Sequence, residues 1–414
     1  MKQPRDLLVD LFTRAVEAAQ PERHVGAHLP DPPRGRTVVV GAGKAAAGMA
    51  RAVERARGAG ADLTGAVAVP HGTPCECAAI ECIEAGHPVP DEGSLRAAKR
   101  LRTLVADLGA DDQVIALFSG GGSALLCDPV PGLTLAAKQA LSQQLLRSGA
   151  SIHEINCVRQ ALSMIKGGRL AALAAPAPVH TLLISDVAGD DPAAIASGPT
   201  VSATCTATDA MEVLRRYELE VPAVLTRARA GPNSGLGSNS VQVICSPVQS
   251  LEAAAEAARG HGLEPLVLGD GLEGAATEMA NVHAGIARSS ARWGLPVEPP
   301  AVLLSGGEAT VAMAEGGGRG GPNAEFALAL AYALNGHKRV HAIACDTDGI
   351  DGSEHNAGAV IDPTTLARAR EAGLYALDHL SRHDSFAFFD ALGDLVVTGP
   401  TGTNVNDFRA ILIG

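Results

Sequence analysis

The chain has 414 residues, which is long enough for two or three domains that each bury a core. Lys and Arg total 33 against 45 Asp and Glu, for a net charge of −12, and 46% of the residues are hydrophobic. These values exclude a disordered chain and a basic nucleic-acid surface, so any anion site must be built locally from a few cationic side chains.

The first predicted element is an amphipathic helix within residues 1–20, with Leu7, Leu11 and Ala15 on one face. It has no apolar signal-peptide region, and no apolar run in the chain reaches the roughly 18 residues of a membrane span. Most of the eight cysteines stand singly in apolar surroundings, as in a reducing compartment. We therefore expect a cytoplasmic protein with neither membrane nor nucleic acid among its partners.

A cysteine cluster follows the second predicted strand. Cys75, Cys77 and Cys82 lie close in sequence, with His71 and His87 nearby. Zinc sites usually add a second pair of ligands downstream, and this chain has no such pair. Two interpretations stay open, a metal site or unligated thiols along an irregular strand and loop.

Short apolar runs alternate with Ala-rich helical stretches along the chain. The runs predicted as strands are 37–40, 66–69, 113–117, 180–184, 241–244, 265–268, 301–304 and 340–344. Continuous apolar strands separated by helices indicate an α/β fold with mainly parallel sheets covered by helices. Turn-forming residues fill 231–240, so we predict an N-terminal α/β domain at 1–235 and a C-terminal one at 241–414. A last strand near the C-terminus could contact either domain.

The first predicted strand leads into the loop G-A-G-K-A-A at 41–46, which opens a helix. Glycines let the backbone approach an anion at a helix N-terminus, and Lys44 adds a point charge. The loop also fits a loose dinucleotide pattern, but the next strand ends in Val69-Pro70-His71 without the acidic residue that binds a ribose. We predict catalysis for Lys44 and nucleotide binding for Gly41 and Gly43; a plain turn is the alternative.

The strand at 113–117 leads into S-G-G-G-S, which also opens a helix. Consecutive glycines flanked by hydroxyls can form a backbone nest for an anionic oxygen, with a flexible tight turn as the alternative. The predicted substrate-binding residues are Ser119, Gly120, Gly121, Gly122 and Ser123.

The helix that begins after Ser151 carries a polar stripe of Asn156, Arg159, Ser163 and Lys166. Such stripes are usually solvated, but Gly167-Gly168-Arg169 directly after Lys166 places a second cation beside a glycine pair. We predict substrate binding for Asn156 and Lys166.

Three aspartates come after the strand at 180–184. Asp186, Asp190 and Asp191 offer hard oxygen ligands for Mg²⁺, or a base for a hydroxyl group. Asp190 could instead cap the next helix. We predict a catalytic and metal-binding role for Asp186 and metal binding for Asp190 and Asp191.

Glycine-rich loops recur in the second half. S-G-G-E at 305–308 comes after a strand, and glycines surround Arg319 in the 316–323 segment before a helix. This pattern indicates a phosphate-binding loop, with a disordered hairpin tip as the alternative. The predicted nucleotide-binding residues here are Gly306, Gly307, Glu308, Gly320, Gly321 and Asn323.

The strand at 340–344 leads into D-T-D-G-I-D-G. This segment begins like an EF-hand loop but lacks its closing Glu, so Asp346, Asp348 and Asp351 suit a Mg²⁺-nucleotide or a sugar hydroxyl. We predict nucleotide binding for Asp346 and metal binding for Asp348 and Asp351. Neither a Walker A sequence nor a protein-kinase motif set occurs.

In order along the chain, these motifs resemble the class II glycerate 2-kinases, whose C-terminal domain is named for its MOFRL motif and which are often labelled hydroxypyruvate reductases. The motifs are G-A-G-K-A, S-G-G-G-S-A-L, I-K-G-G-R-L-A, I-S-D-V-A-G-D-D, S-G-G-E-A-T-V, G-R-G-G-x-N-x-E-F-A-L, D-T-D-G-I-D-G and the tail N-V-N-D. They run from about Gly41 to Asp407 and cover nearly the whole chain.

The resemblance implies two Rossmann-like domains with the active site in the cleft between them, ATP and Mg²⁺ as cofactors, and phosphorylation of D-glycerate at its 2-hydroxyl. Lys44 matches the family's catalytic lysine. Where members commonly carry an arginine this chain has Pro322, so Arg319 would have to take the catalytic role of that arginine. The expected partners are glycerate and ATP, in a monomer or homodimer.

Two other classes of function stay open. An NAD(P)H-dependent hydroxypyruvate reductase would use G-A-G-K-A-A as a cofactor loop, although its acidic ribose ligand is missing. A non-catalytic binding protein would keep the glycine loops but have little use for so many carboxylates at strand ends.

Overall fold

A computed structural model describes residues 3–58, 60–203, 205–226, 239–311 and 318–414. Contacts divide the chain into two compact units. We call Pro21–Cys245 the parallel-sheet unit, and Met1–Gln20 together with Ser246–Gly414 the mixed-sheet unit. No helix within the described ranges is both long enough and apolar enough to span a membrane.

The elements are numbered in chain order. The helices are α1 Pro4–Ala18, α2 Pro21–His24, α3 Ala46–Arg57, α4 Glu92–Val105, α5 Gly122–Leu125, α6 Leu135–Arg147, α7 Ile152–Ala161, α8 Arg169–Ala174, α9 Ala207–Arg216, α10 Ala223–Thr226, α11 Pro247–Gly260, α12 Ala276–Trp293, α13 Pro322–Leu334, α14 Thr365–Glu371, α15 Ala376–Ser381 and α16 Ser385–Leu392. The strands are β1 Thr37–Ala42, β2 Leu63–Pro70, β3 Ile80–Ala85, β4 Gln113–Phe118, β5 Val179–Ile184, β6 Ser240–Cys245, β7 Glu264–Gly269, β8 Gly274–Ala275, β9 Ala301–Ser305, β10 Ala309–Thr310, β11 Val340–Asp346, β12 Gly358–Ile361, β13 Leu395–Val396 and β14 Asp407–Ile413. Every predicted strand is present, while β3 and β12 lacked a recognised pattern.

The parallel-sheet unit has six strands in the order β3-β2-β1-β4-β5-β6, all parallel. Every residue of β1 and β4 is buried, which explains their continuous apolar sequence. The strand order reverses between β1 and β4, where Ala42 pairs with Phe118. A crevice forms at the carboxyl ends of strands where the order reverses, so the loops after β1 and β4 lie where ligands bind in doubly wound sheets.

The sheet of the mixed-sheet unit has the order β13-β12-β11-β14-β9-β7. Among the described strands of this sheet, only β7 and β9 pair in parallel; β14 lies between β9 and β11 and is antiparallel to both. The expectation of a mainly parallel sheet is wrong for this unit. All seven residues of β14 are buried, so its sequence has the same apolar run as a parallel strand.

The predicted domain boundary also needs correction. Helix α1 packs its buried Leu8, Leu11 and Phe12 into the core of the mixed-sheet unit, and β6 pairs with β5 in the parallel sheet. An apolar strand or an amphipathic helix shows which face is buried but not which sheet buries it, so sequence assigned both elements to the wrong unit. The last strand, β14, is an interior strand of the mixed sheet. Most of the predicted linker, residues 231–238, lies outside the described residues.

Each face of the mixed sheet is covered by a pair of helices. Residues of α12 and α13 form one core with Leu303 and Ile411, and residues of α1 and α11 form the other with Leu304 and Phe408. Full burial of a Leu or Phe side chain contributes about 1.5–3 kcal/mol, so these two layers fix the loops at the strand ends.

Candidate active site

The loop after β1 is bonded to the loop after β4. The backbone N–H of Lys44 donates to Gly120 O at 2.9 Å, and that of Ala45 donates to Ser119 Oγ at 3.0 Å. Lys44 itself is half-buried. The two glycine loops therefore form one connected surface at the strand-order reversal. Lys44 lies where the first loop is bonded to the second.

Glycine in the first loop serves packing. Gly43 has a φ of +143°, and a Cβ there would overlap Ser119 Oγ; a Cβ at Gly41 would overlap Leu117 O. The N–H of Gly43 donates to Ala68 O at 3.1 Å, and that of Ala46 donates to Gly43 O at 3.1 Å. With these donors and those of Lys44 and Ala45 already bonded, the geometry argues against backbone anion binding at Gly41 and Gly43.

The Ser119–Ser123 turn is different. In the part of the chain that the structure describes, the backbone N–H groups of Gly120, Gly121 and Ser123 donate to no acceptor. Gly121 has a φ of +79°, and a Cβ there would lie 2.9 Å from Cδ2 of His87. The predicted substrate nest is thus available to a ligand, and His87 is a neighbour that the sequence pattern did not identify as part of it.

Asn156 contacts this turn indirectly, through Ser197. Its Oδ1 accepts from Ser197 Oγ at 2.8 Å, and Ser197 Oγ lies 2.7 Å from Ser123 Oγ. Its Nδ2 donates to Ala194 O at 3.4 Å. Because both ends of the buried amide are bonded to the protein, the geometry argues against the predicted contact between Asn156 and substrate and places Asn156 behind Ser197. Ser197 was not among the predicted site residues.

Lys166 is also joined to the turn. Its side chain is 1% exposed, and its Nζ donates to Ser123 O at 2.9 Å and to Ala196 O at 3.5 Å. Burial lowers the pKa of this ammonium well below the ordinary 10.5, and the nearby charges of Lys138 and Arg159 lower it further. A buried cation with carbonyl partners stands directly behind the predicted substrate nest.

Asp186, Asp190 and Asp191 do not form a single group of three close ligands. Asp186 is half-buried at the end of the strand, and Asp191 Oδ1 accepts from Ala193 N at 3.0 Å within its own turn. Asp190 Oδ1 is buried without a hydrogen-bond partner in the described structure. Mg²⁺ in nucleotide sites commonly takes only one or two protein carboxylates, with waters and phosphates completing the shell. The orphaned oxygen of Asp190 fits such a site, and a cage of three aspartates does not.

Among the described residues, only the cysteine cluster brings three or more His, Cys, Asp or Glu side chains close enough to share a metal ion. The sulfur atoms of Cys75, Cys77 and Cys82 lie within 4.8 Å of one another, and Cys75 and Cys82 form a disulfide. His71 instead bonds Asp91 at 2.7 Å. The disulfide differs from both interpretations of the sequence, which considered a metal or unligated thiols.

In the mixed-sheet unit, Asp351 has a structural position. It is fully buried, and its carboxylate accepts from Asn323 N at 2.9 Å and Ala324 N at 2.8 Å in the first turn of α13. Burial raises the pKa of Asp351 to about 7. A carboxylate that is occupied by backbone donors and shielded from solvent is a poor Mg²⁺ ligand, so the geometry argues against the predicted metal role.

The other two aspartates of this loop organise its backbone. Asp346 Oδ1 accepts from Asp348 N at 2.9 Å, and Asp348 Oδ1 accepts from Ile350 N at 2.8 Å. Asp346 is half-buried at the end of β11, whereas Asp348 is buried. Asp346 is therefore the more accessible of the two for a nucleotide.

Asn323 belongs to a buried polar network. Its Nδ2 donates to Asp407 Oδ1 at 2.6 Å, and Asp407 also pairs with Arg409, whose Nη1 donates to Gly306 O at 3.0 Å. Arg409 is fully buried in β14. The network fixes the start of α13 to the loop after β9 and bonds the Asn323 amide nitrogen inside the protein, while the buried Asn323 Oδ1 has no hydrogen-bond partner among the described residues. Arg409 was detectable only as a charge within an apolar strand.

The loop after β9 places Glu308 at the surface. Gly307 has a φ of +103°, and a Cβ there would overlap Leu272 O; the N–H of Glu308 donates to the same oxygen at 3.0 Å. Gly306 lies buried against Asp407. The two glycines therefore serve close packing, and Glu308 is the residue of this motif with an exposed side chain.

Arg319 is held by neighbours at the surface. Its Nη2 lies 2.5 Å from Glu354 Oε2, and its guanidinium stacks on Phe386 at 4.4 Å, with 63% of its side chain exposed. Cβ atoms at Gly320 and Gly321 would overlap neighbouring side chains, so these glycines also serve packing. Pro322 is the first residue of α13, and Gly316 and Gly317 of the predicted loop lie outside the described residues.

A doubly wound parallel sheet, with lysines and a glycine turn that keeps backbone donors without protein acceptors among the described residues at its strand-order reversal, is typical of α/β proteins that bind small anionic ligands. Comparison with known proteins narrows that class. A family model described as "Domain of unknown function (DUF4147)" matches residues 7–229, and the MOFRL family model matches residues 301–407.

A protein of Agrobacterium vitis, provisionally named hydroxypyruvate reductase, is 53% identical over 99% of this chain and 94% of its own length. D-glycerate 2-kinase of Thermotoga maritima is 37% identical over 99% of this chain and 98% of the relative. The crystal structure of glycerate kinase from the same organism matches with a TM-score of 0.86 at 36% identity, covering 99% of both chains. The chain belongs to the family of class II glycerate 2-kinases with a MOFRL domain, which confirms the resemblance and the α/β fold class.

Proposed function

We propose that this protein transfers a phosphoryl group from ATP to the 2-hydroxyl of D-glycerate. The observation that carries the proposal is the connected surface at the strand-order reversal, where Lys44 adjoins the Ser119–Ser123 turn. Relatives named glycerate 2-kinase match nearly the whole chain, which supports the same reaction.

Phosphoryl transfer needs positioning and charge neutralisation more than covalent chemistry. In our proposal Lys44 neutralises the transferring phosphoryl group, and the free N–H groups of Gly120, Gly121 and Ser123 bind substrate oxygens. Asp186 orients the acceptor hydroxyl and accepts its proton. Mg²⁺, held by Asp186 and Asp190, would supply charge neutralisation on the phosphates.

We assign ATP to residues of the mixed-sheet unit. Glu308 is exposed after β9, Asp346 is half-exposed after β11, and the exposed Arg319 can exchange Glu354 for a phosphate. Six of the eight cysteines lie outside the Cys75–Cys82 disulfide, which supports the prediction of a cytoplasmic enzyme. A monomer or homodimer remains our prediction for the oligomeric state.

Hydroxypyruvate reduction is the second candidate, because the Agrobacterium vitis relative has that name. A dinucleotide pyrophosphate binds to free backbone N–H groups in the loop after β1. Here the N–H groups of Gly43, Lys44 and Ala45 already donate to protein acceptors. This occupancy, with no acidic residue after β2, favours the kinase.

The test uses Lys44→Ala with Lys99→Ala as a matched control, since Lys99 is an exposed lysine of α4. ADP formation is measured with D-glycerate and Mg-ATP, and NADH loss is measured separately with hydroxypyruvate. We expect Lys44→Ala to lower kcat by about 100-fold or more with little change in melting temperature, and Lys99→Ala to behave as wild type.

Near-normal turnover of Lys44→Ala would remove Lys44 from the catalytic residues. NADH loss without ADP formation in the wild-type protein would overturn the kinase proposal. Phosphorus NMR of the product distinguishes 2-phosphoglycerate from the 3-phosphate.

A further inference from the structure

The parallel-sheet unit contains a cavity of about 40 Å³ beside the Ser119–Ser123 turn. Helices α5, α6 and α7 and the Pro88–Pro90 segment surround it. Three cations line it, Lys138, Arg159 and Lys166, and we call it the Lys138–Arg159–Lys166 pocket. A cavity of this size and polarity admits a few water-sized groups, such as the oxygens of a small anion.

Among the described residues, no carboxylate lines this pocket. The nearby Asp128 bonds Arg102 at 2.7 Å, and the other ionisable lining group is the Cys127 thiol. In a chain with a net charge of −12, a buried group of cations without an acidic partner is unusual.

The partners of the three cations show which charge is unsatisfied. Lys138, 5% exposed, donates to Leu162 O at 3.4 Å, and Lys166 donates to Ser123 O and Ala196 O. The Arg159 guanidinium has neither a hydrogen bond nor an ion pair with any residue in the described ranges. Of the three cations in this pocket, Arg159 therefore has the most hydrogen-bond donors available to a bound anion.

The pKa shifts of these cations are consistent with a site that attracts an anion. Burial lowers the pKa of Lys138, and the adjacent charges of Arg159 and Arg169 lower it further; burial likewise lowers the pKa of Arg159. Desolvated cations without a nearby negative charge are unfavourable, and an anion bound in this pocket would supply that charge to all three.

We propose that the Lys138–Arg159–Lys166 pocket binds the carboxylate group of the hydroxy acid, with Arg159 as its bidentate partner. The planar guanidinium fork matches a carboxylate. Ser123 belongs both to this pocket and to the predicted substrate nest, and Lys166 of the pocket donates to Ser123 O, so one short molecule can present its carboxylate here and its hydroxyl to the nest. This inference rests on the proposed function for the identity of the ligand.

The test measures D-glycerate binding by calorimetry without ATP, using Arg159→Gln and the matched control Arg147→Gln. Arg147 is an exposed arginine at the end of α6. Loss of a charged hydrogen-bond partner should weaken D-glycerate binding by about 10- to 100-fold in Arg159→Gln and leave Arg147→Gln unchanged. Glycerol, which has no carboxylate, should bind neither the Arg159→Gln nor the Arg147→Gln variant.

Steady-state kinetics give a second readout. Arg159→Gln should raise KM for D-glycerate much more than it lowers kcat, leave KM for ATP unchanged, and be partly rescued by Arg159→Lys. If Arg159→Gln does not fold, Lys138→Met gives the same test through the second cation.

Unchanged D-glycerate affinity in a folded Arg159→Gln protein would overturn the proposal. Loss of affinity for inorganic phosphate but not for D-glycerate would assign the pocket to a phosphoryl group and also overturn it. If D-glycerate binds through Arg159 but no ADP ever forms, the kinase proposal fails and the pocket assignment stands.

Discussion

Gly43→Ala tests whether packing of the first glycine loop positions Lys44. Gly43 has a φ of +143°, and a Cβ there would overlap Ser119 Oγ. Ser119 would have to move, which would break its hydrogen bond from Ala45 N. The substitution therefore disturbs the bonds between the two loops without changing a charged or catalytic side chain.

Gly58→Ala is the matched control. Gly58 has a φ of +78° at the end of α3, with no described atom within 4 Å of a Cβ placed there. It should cost only backbone strain, about 1–3 kcal/mol. Gly43→Ala should add about 1–3 kcal/mol of overpacking and about 1 kcal/mol for the lost hydrogen bond, for a total of about 3–7 kcal/mol.

Calorimetric unfolding and kcat measured well below the melting temperature provide the assay. We expect the larger loss of stability for Gly43→Ala, together with a fall in kcat of at least about tenfold, because displacement of a catalytic group by about 1 Å costs that much or more. Gly58→Ala should retain its kcat. Equal destabilisation by the two substitutions would refute the packing argument. Full activity of Gly43→Ala would show that catalysis by Lys44 does not depend on the packing of this loop.

Two further predictions concern Lys166 and Arg319. Because burial lowers the pKa of Lys166 below 10.5, the free energy of unfolding should fall as pH drops from 10.5 through the lowered pKa, by about 1.4 kcal/mol per unit of lowering. Lys166→Met should lose this dependence, and identical pH profiles of melting temperature would contradict the prediction. Arg319→Ala should lower kcat/KM for ATP at least about tenfold if the arginine binds phosphate, whereas Glu354→Gln, which frees Arg319, should not lower it. If Arg319→Ala has wild-type kinetics, Arg319 does not take the role of the arginine that is absent at Pro322.

The sequence was informative about which strands exist and which loops come after them. The apolar runs at β1 and β4 and the polar loops at their carboxyl ends were both predicted, and a parallel sheet brings those loops together at one edge. Strand pairing was harder to predict. β14 is buried along its whole length, and β6 is an edge strand buried only at its last two residues, yet the apolar run of each fits either unit and either strand direction. Pairing depends on contacts between residues far apart in the chain, which local periodicity does not encode.

The chemistry of the loops was less predictable. A glycine that lets the backbone approach a ligand and a glycine that admits a neighbouring side chain look the same in sequence, and only the position of Ser119 Oγ distinguishes them at Gly43. An aspartate at a strand end likewise looks the same whether it binds a metal or, as Asp351 does, accepts from the start of a helix. Arg159 was noticed only as part of a polar stripe, because its surroundings are a property of the folded structure.

These differences change how the parallel-sheet unit is expected to bind anions. The donors of the Gly43 loop are consumed by contacts that hold β1 to its neighbours, so of the two glycine loops only the Ser119–Ser123 turn keeps backbone donors that no described residue occupies. The remaining positive charge comes from Lys44, Lys166 and Arg159, of which Lys166 is almost fully buried. Charges removed from solvent interact more strongly with a bound anion than surface charges do, because less water screens them. A strongly acidic chain can therefore bind an anionic acceptor without a Walker-type loop, by keeping a few desolvated cations behind one short turn.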